Sequence, residues 1–338
     1  MSEQLPDQPA NNLIEATALF ITHSSRYKTS RKYPFSNTTT TRIHQSPTTM
    51  SSFTLPTPHG LISITSTPAR PSTPTLLLIH GNSSSSEIFR HILSSSRLTS
   101  RYRILTFCLP GHGSSSKAPD PSLSYHMHGY ASLAVQILQH LSIEDVVVFG
   151  WSLGGHIGIE MLDLVNTHDV LSEHKRIRIR GLMLTGTPPA HGKEQVEKAF
   201  PKGLGLAGTR DWSDDVALEF SRGSAAAGKE ELWEEWMYED ARTTDGRARV
   251  SMARQFLGED EGGVDQVRVV ENTDVLVAVV NGAEEQFISL DWIDGIRWKK
   301  LWKGKCLRLK GLHHAPFWED PATFEEVLVE FMKDTEKE

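Results

Sequence analysis

Apolar positions are scattered without period through the first fifty residues and become regular after them. Between Thr22 and Thr49 the chain is crowded with Ser and Thr, including Thr38-Thr39-Thr40-Thr41, with Arg26, Lys28, Arg31, Lys32 and Arg42 interspersed. A stretch with no sustained apolar face cannot offset the entropy of ordering its chain, so 1–50 is expected to be a disordered tail. Glu3, Asp7 and Glu15 argue against a mitochondrial presequence, where acidic residues are scarce. Because the ordered pattern starts directly after Met50, a chain beginning there is expected to fold and behave normally. Residues 51–338 form the expected domain.

Within it, 53–55 and 61–64 flank Pro58-His59-Gly60 and read as a starting hairpin. Continuous apolar runs follow at 76–79, 104–109, 146–149, 182–184 and 275–280, with a shorter one at 306–309. Short runs of this kind suit strands covered on both faces, as in a parallel sheet. Tyr130, Leu133, Ala134, Ile137, Leu138 and Leu141 recur at helical spacing, as do Ile157, Met161, Leu162 and Val165. Strands alternating with helices predict an α/β protein with a doubly wound, mostly parallel sheet. Residues 188–272 break the rhythm: they hold Gly-rich breaks and a helical signal over 230–240 with Trp233, Trp236 and Met237. The interval is too long for a plain loop and predicts a helical cap inserted after strand six.

Composition narrows the class. The chain has 338 residues, 35 Lys+Arg against 42 Asp+Glu, and a net charge of −7, which lacks the basic footprint of a nucleic-acid binder. No uninterrupted apolar run approaches the roughly 20 residues of a membrane helix, so no stable membrane insertion is expected. Two cysteines make no disulfide framework, and a cytoplasmic location is the default expectation.

The chemistry centres on Gly150-Trp151-Ser152-Leu153-Gly154-Gly155, which follows a strand and precedes a helical pattern. That is the context of a Gly-x-Ser-x-Gly nucleophile elbow. Ser152 must turn sharply, so residues two positions either side must lack colliding side chains. The Leu153 N–H, at the start of the new helix, points toward a developing oxyanion. His80-Gly81-Asn82-Ser83 closes the strand at 76–79 and offers the Asn82 N–H as a second donor. Pro110-Gly111-His112-Gly113-Ser114 closes the next strand, and Gly311-Leu312-His313-His314-Ala315-Pro316-Phe317 follows the last.

Together these residues resemble the α/β-hydrolase superfamily, in its serine-nucleophile, cap-bearing form, from Phe53 to the C-terminus apart from the inserted segment. The resemblance implies Ser152 as nucleophile and His314, rather than His313, as base. The acid of the family follows strand seven in a Gly-x-x-Asp pattern, and counting three from Gly282 reaches Glu285, with Glu284 and Asp291 as rivals. The order Ser152, Glu285, His314 is the order of the fold. A Glu can replace Asp because the carboxylate only orients the imidazole and stabilises its cation. Cys108 stands where the family commonly has a structural Asp. A Ser rather than an Asp at the elbow argues against epoxide and halide chemistry and leaves acyl transfer to serine.

The expected activity is therefore cofactor-independent hydrolysis of a small-molecule ester, thioester or lactone through an acyl-enzyme. Acyl transfer to an alcohol or amine, or a ligand receptor retaining the pocket, are the alternatives. His126, Met127 and His128 lack an accompanying carboxylate or Cys pattern, so no metal site is expected. His156 is expected to pack beneath the elbow, and Trp233 and Trp236 to form cap core.

Overall fold

The computed structural model describes residues 50–70, 72–167, 177–225 and 228–338. Of the expected tail at 1–50, residues 1–49 lie outside the described residues. The described strands are β1 (Ser51–Thr57), β2 (Gly60–Ser66), β3 (Thr75–Ile79), β4 (Ile104–Phe107), β5 (Asp145–Trp151), β6 (Arg178–Thr185), β7 (Leu276–Gly282) and β8 (Leu307–Leu309). They form one sheet in the order β1-β2-β4-β3-β5-β6-β7-β8. β1 and β2 pair antiparallel and β2 meets β4 antiparallel, while every later pair is parallel. This is the mostly parallel sheet that the strand and helix rhythm predicts, in the strand order expected from the resemblance to the α/β hydrolases.

The alternation of side chains explains why these runs became central strands. Leu77, Ile79, Val146, Val148, Leu182, Leu184, Val277 and Val279 enter one buried cluster. Their neighbours Leu76, Leu78, Val147, Phe149, Met183, Ala278 and Val280 enter a second. Successive residues of a strand point to opposite faces, so a sheet buried on both sides needs apolar residues at every position. The helices Met127–His140 and Leu153–Thr167 cover the first face. The second face is covered by the terminal helix Pro321–Thr335 and an aromatic layer. In that layer Phe149, Trp151 and Phe317 pack edge to face at 5.4 and 5.5 Å, each pair contributing about 1 kcal/mol beyond its buried area.

β4 ends earlier than the apolar run 104–109 predicts. Cys108 N–H still donates to Ser63 O (3.0 Å), its opposite number in β2, but Leu109 N–H donates to His80 Nε2 (3.0 Å) instead of to a strand. The proton of His80 is therefore on Nδ1, which donates to Gly81 O (2.7 Å). Burial pushes this imidazole down to about 3, so it stays neutral and joins the ends of β3 and β4.

Between β6 and β7 the described residues hold helices only: Gly192–Ala199, Asp214–Ala225, Glu235–Thr243, Gly246–Phe256 and Gln266–Asn272, with short 3-10 turns. The single helix expected over 230–240 is corrected. The segment breaks at Trp233 and Glu234, whose backbones are extended. The Glu234 carboxylate is drawn aside to Arg90 and to the Trp236 indole. Four loops that leave strand ends grip the insertion. Asn82 Nδ2 donates to Ala207 O (2.9 Å), and Asp245 N–H donates to Gly111 O (2.9 Å). Gln286 Nε2 donates to Gly223 O (3.0 Å), and Trp318 Nε1 donates to Leu232 O (3.0 Å). These loops follow β3, β4, β7 and β8, so the insertion lies against the carboxyl ends of the strands, where open α/β sheets bind ligands.

Candidate active site

Ser152 sits at a sharp strand-to-helix turn. Its N–H makes the last contact with β6, donating to Thr185 O (2.8 Å), and the helix Leu153–Thr167 starts at the next residue. Its φ is 54°, in the left-handed region that costs a non-glycine residue on the order of 1–2 kcal/mol. Two close approaches make this turn possible only with glycine. A Cβ on Gly150 would lie 2.3 Å from Gly154 O, and one on Gly154 would lie 1.9 Å from Ile79 O. Thr187 Oγ1 donates to Ser152 O (2.9 Å) and secures the turn from the β6 side.

His314 and Glu285 meet. His314 Nδ1 is 2.7 Å from Glu285 Oε2, with both side chains buried. The rivals lie elsewhere: Glu284 is exposed, and the Asp291 side chain is fully exposed, 4.0 Å from Arg308. Two contacts bring the Glu285 loop to the His314 loop. Glu284 N–H donates to Leu312 O (2.9 Å), and Gly282 passes so close that a Cβ would stand 2.1 Å from Leu312 O. Burial alone would raise the Glu285 carboxyl. The His314 ring and the N–H groups of Phe287 and Gln286 outweigh it and hold the carboxyl below its ordinary value, with Phe287 N at 2.8 Å. An ionised Glu285 accepts only, so the proton of His314 is on Nδ1 and its Nε2 is free to accept.

Ser152 and His314 both adjoin the Thr185-Gly186 corner. Ser152 N–H is held by Thr185 O, while the His314 ring lies against Gly186, where an added Cβ would stand 2.5 Å from its Cε1. Gly186 has φ 64° and is fixed by its own N–H, which donates to Asn281 Oδ1 (2.7 Å). Trp151 Nε1 donates to His314 O (2.9 Å), tying the residue before Ser152 to the histidine loop. Among the described residues Ser152 Oγ makes no hydrogen bond to His314. Such bonds commonly tighten only when substrate is bound.

The two backbone donors named in the sequence lie beside this corner. Leu153 opens its helix, so its N–H has no intrahelical acceptor. Asn82 leaves β3 next to Gly81, where a Cβ would lie 3.2 Å from Ser152 Cβ. The Asn82 side chain is committed to Ala207 O and to the Ser83 hydroxyl.

The remaining candidates have local explanations. His156 is buried against Phe256 at 4.7 Å, its Nδ1 is 2.7 Å from Gln266 Oε1, and burial lowers it to about 4. His126 caps its helix through Nδ1, which accepts Gly129 N–H (2.9 Å). Cys108 is buried, with Sγ 3.3 Å from Ser86 Oγ. Among the described residues no group of three or more His, Cys, Asp or Glu is placed to hold a metal. Trp236 packs on Trp318 at 5.5 Å, whereas Trp233 lines a cavity of about 560 Å³ with Arg222, Gln286, Phe287 and His313.

Sequence reasoning missed Gly186 and Glu319. The buried Glu319 carboxylate accepts the N–H groups of His313 and Ala315, on either side of His314. A carboxylate five residues beyond the histidine, just before Asp320-Pro321, was the available signal.

A sequence pattern described as the alpha/beta hydrolase family matches residues 76–327. The solved structure of the N-acyl homoserine lactonase AidH, as an E-to-G mutant complexed with N-hexanoyl homoserine, is 37% identical. It matches 85% of this chain and 98% of that one at a TM-score of 0.75. The esterase RhEst1 from Rhodococcus sp. ECU1013 matches 84% of this chain and 98% of its own at TM-score 0.63 and 18% identity, a likeness of fold. An uncharacterized hydrolase of Bacillus subtilis, YugF, is 34% identical over 89 residues, 26% of this chain and 31% of that protein. The chain thus matches under a third of the length of such curated relatives. No described helix is long and apolar enough to cross a membrane. The matched pattern, extending over well more than half of the residues, makes this chain a member of the alpha/beta hydrolase family.

Proposed function

We propose that the protein cleaves an ester, thioester or lactone through an acyl-enzyme on Ser152, with a lactone as the first substrate to test. The observation that carries this reading is the arrangement at the Thr185-Gly186 corner. A strained serine and a histidine bonded to a buried carboxylate adjoin the same two residues. In this reading His314 Nε2 takes the Ser152 proton as Oγ attacks the carbonyl carbon. The Leu153 and Asn82 N–H groups receive the oxyanion, each such donor stabilising the transition state by about 3 kcal/mol. His314 then returns the proton to the leaving oxygen or sulfur, activates water, and so clears the ester on Ser152. Glu285 keeps the imidazole in the Nδ1–H tautomer throughout. No cofactor enters these steps. The lactone preference rests on the 37% identity to a protein described as an N-acyl homoserine lactonase.

A panel of N-acyl homoserine lactones, simple lactones, p-nitrophenyl esters, thioesters and acyl amides, ranked by kcat/KM, tests the reading. It expects turnover of lactones or esters and little of amides; activity on amides alone would contradict it.

Two further results are expected. Gly186→Ala places a methyl into the space of the His314 ring at a positive φ, and a displacement of about 1 Å can cost on the order of 100-fold in rate. Its kcat should fall by about that factor with KM little changed, measured on the best substrate of the panel. Trp233→Ala should alter the ranking of short against long acyl chains, because Trp233 lines the cavity beside His313 and Phe287. Trp236→Ala should chiefly lower the melting temperature, because Trp236 is packed on Trp318. An unchanged chain-length ranking in a folded Trp233→Ala protein would remove that cavity from the substrate site.

A further inference from the structure

We propose that Glu319 is a positioning residue for His314, a second carboxylate that fixes the backbone of the base while Glu285 fixes its ring. The proposal rests on the assignment of His314 as base. Glu319 ends the short helix Pro316–Glu319, and its side chain is 1% exposed. Oε1 accepts the N–H groups of His313 (3.0 Å) and Ala315 (3.1 Å). Oε2 accepts His313 N–H (2.9 Å) and lies 3.0 Å from His313 Nδ1. One carboxylate therefore holds the chain immediately before and immediately after the base.

The His314-Ala315 peptide is gripped at both ends, its N–H by Glu319 and its C=O by the Trp151 indole (2.9 Å). Trp318 N–H and Glu319 N–H both donate to Ala315 O, at 2.8 and 2.9 Å, which returns the helix to the loop it clamps. Trp151 is also the residue before Ser152, so nucleophile and base are referred to the same side chain. The His313 ring is taken up by this clamp, which explains why the neighbouring histidine and not His313 meets Glu285. Lys229 Nζ, contributed by the helical insertion, lies 3.7 Å from Glu319 Oε2 and balances its charge.

Every partner of Glu319 named here is a donor or can act as one, so an acceptor-only group fits the clamp. A glutamine of the same shape must turn its NH2 toward an N–H. Loss of the clamp loosens the base without touching the substrate, and misplacement of about 1 Å costs on the order of 100-fold.

The test compares wild type, Glu319→Gln and Glu319→Asp by steady-state kinetics on the best ester or lactone. Active sites are counted by fluorophosphonate labelling, and folding is followed by circular dichroism and melting temperature. Glu319→Gln is expected to lose about 10- to 100-fold in kcat per labelled site with KM within about twofold. Glu319→Asp keeps the acceptors but cannot reach both amides, and should fall between the two. A merely structural role would reduce the labelled fraction or the melting temperature while leaving turnover per labelled site at the wild-type value. That result in Glu319→Gln, or in Glu319→Asp where the Gln variant does not fold, overturns the proposal. Absence of labelling in the wild type would instead refute the serine mechanism itself.

Discussion

Ser152→Ala is expected to abolish hydrolysis while leaving the fold intact. Loss of the nucleophile of such a triad costs on the order of 10⁶-fold in kcat, because the remaining oxyanion donors cannot replace a covalent path. The structural cost should be small. Ser152 is half-buried and its turn is set by the backbone bonds to Thr185 and Thr187 and by Gly150 and Gly154, none of which involves the hydroxyl. Alanine meets the same positive φ as serine, so the strain is unchanged. The melting temperature should stay within about 2 °C. Steady-state hydrolysis and a thermal melt on one preparation check both halves. A folded Ser152→Ala protein with near-normal turnover would contradict the covalent mechanism.

The second large effect is expected at Glu285. Its carboxylate is the buried partner of His314 Nδ1 and is held ionised despite burial by that ring and by the Phe287 and Gln286 N–H groups. Glu285→Gln keeps the volume but can present an NH2 to Nδ1. The imidazole then takes the Nε2–H tautomer, which cannot accept the serine proton, and kcat can fall by up to ~10⁴-fold. Glu284→Gln should retain most activity, because Glu284 is exposed and its structural contact is through its backbone N–H. The two variants assayed side by side on one substrate decide between them. The reverse ranking would move the acid to Glu284.

What could be read from the sequence follows from where physical constraints are local. The elbow was legible because its geometry forbids side chains at Gly150 and Gly154, a demand written directly in residue type. Central strands were legible because burial on two faces requires uninterrupted apolar runs. The meeting of Glu285 with His314 was legible only through the spacing from Gly282 and the resemblance to a family; the close passage of Gly282 past Leu312 that brings it about joins distant segments. Boundaries set by long-range partners were not legible. β4 falls short of the apolar run through Leu109 because His80 captures the Leu109 N–H, and the helix signal over 230–240 breaks where Glu234 turns to Arg90. Glu319 escaped notice because it binds backbone N–H groups, so its spacing from His314 was the one trace it left in the residue types. Gly186 escaped because its neighbour, the His314 ring, arrives from the other end of the domain.

The central claim is that Ser152 is an activated nucleophile. The most direct measurement is the intact mass and peptide map of the protein after reaction with a serine-directed fluorophosphonate, with residual hydrolysis followed on the same samples. The account predicts one phosphonyl adduct per chain, on the peptide carrying Ser152, with activity lost in proportion to the adduct and no adduct in Ser152→Ala. Hydrolysis that persists in fully labelled protein, or equal labelling of Ser152→Ala, would contradict it.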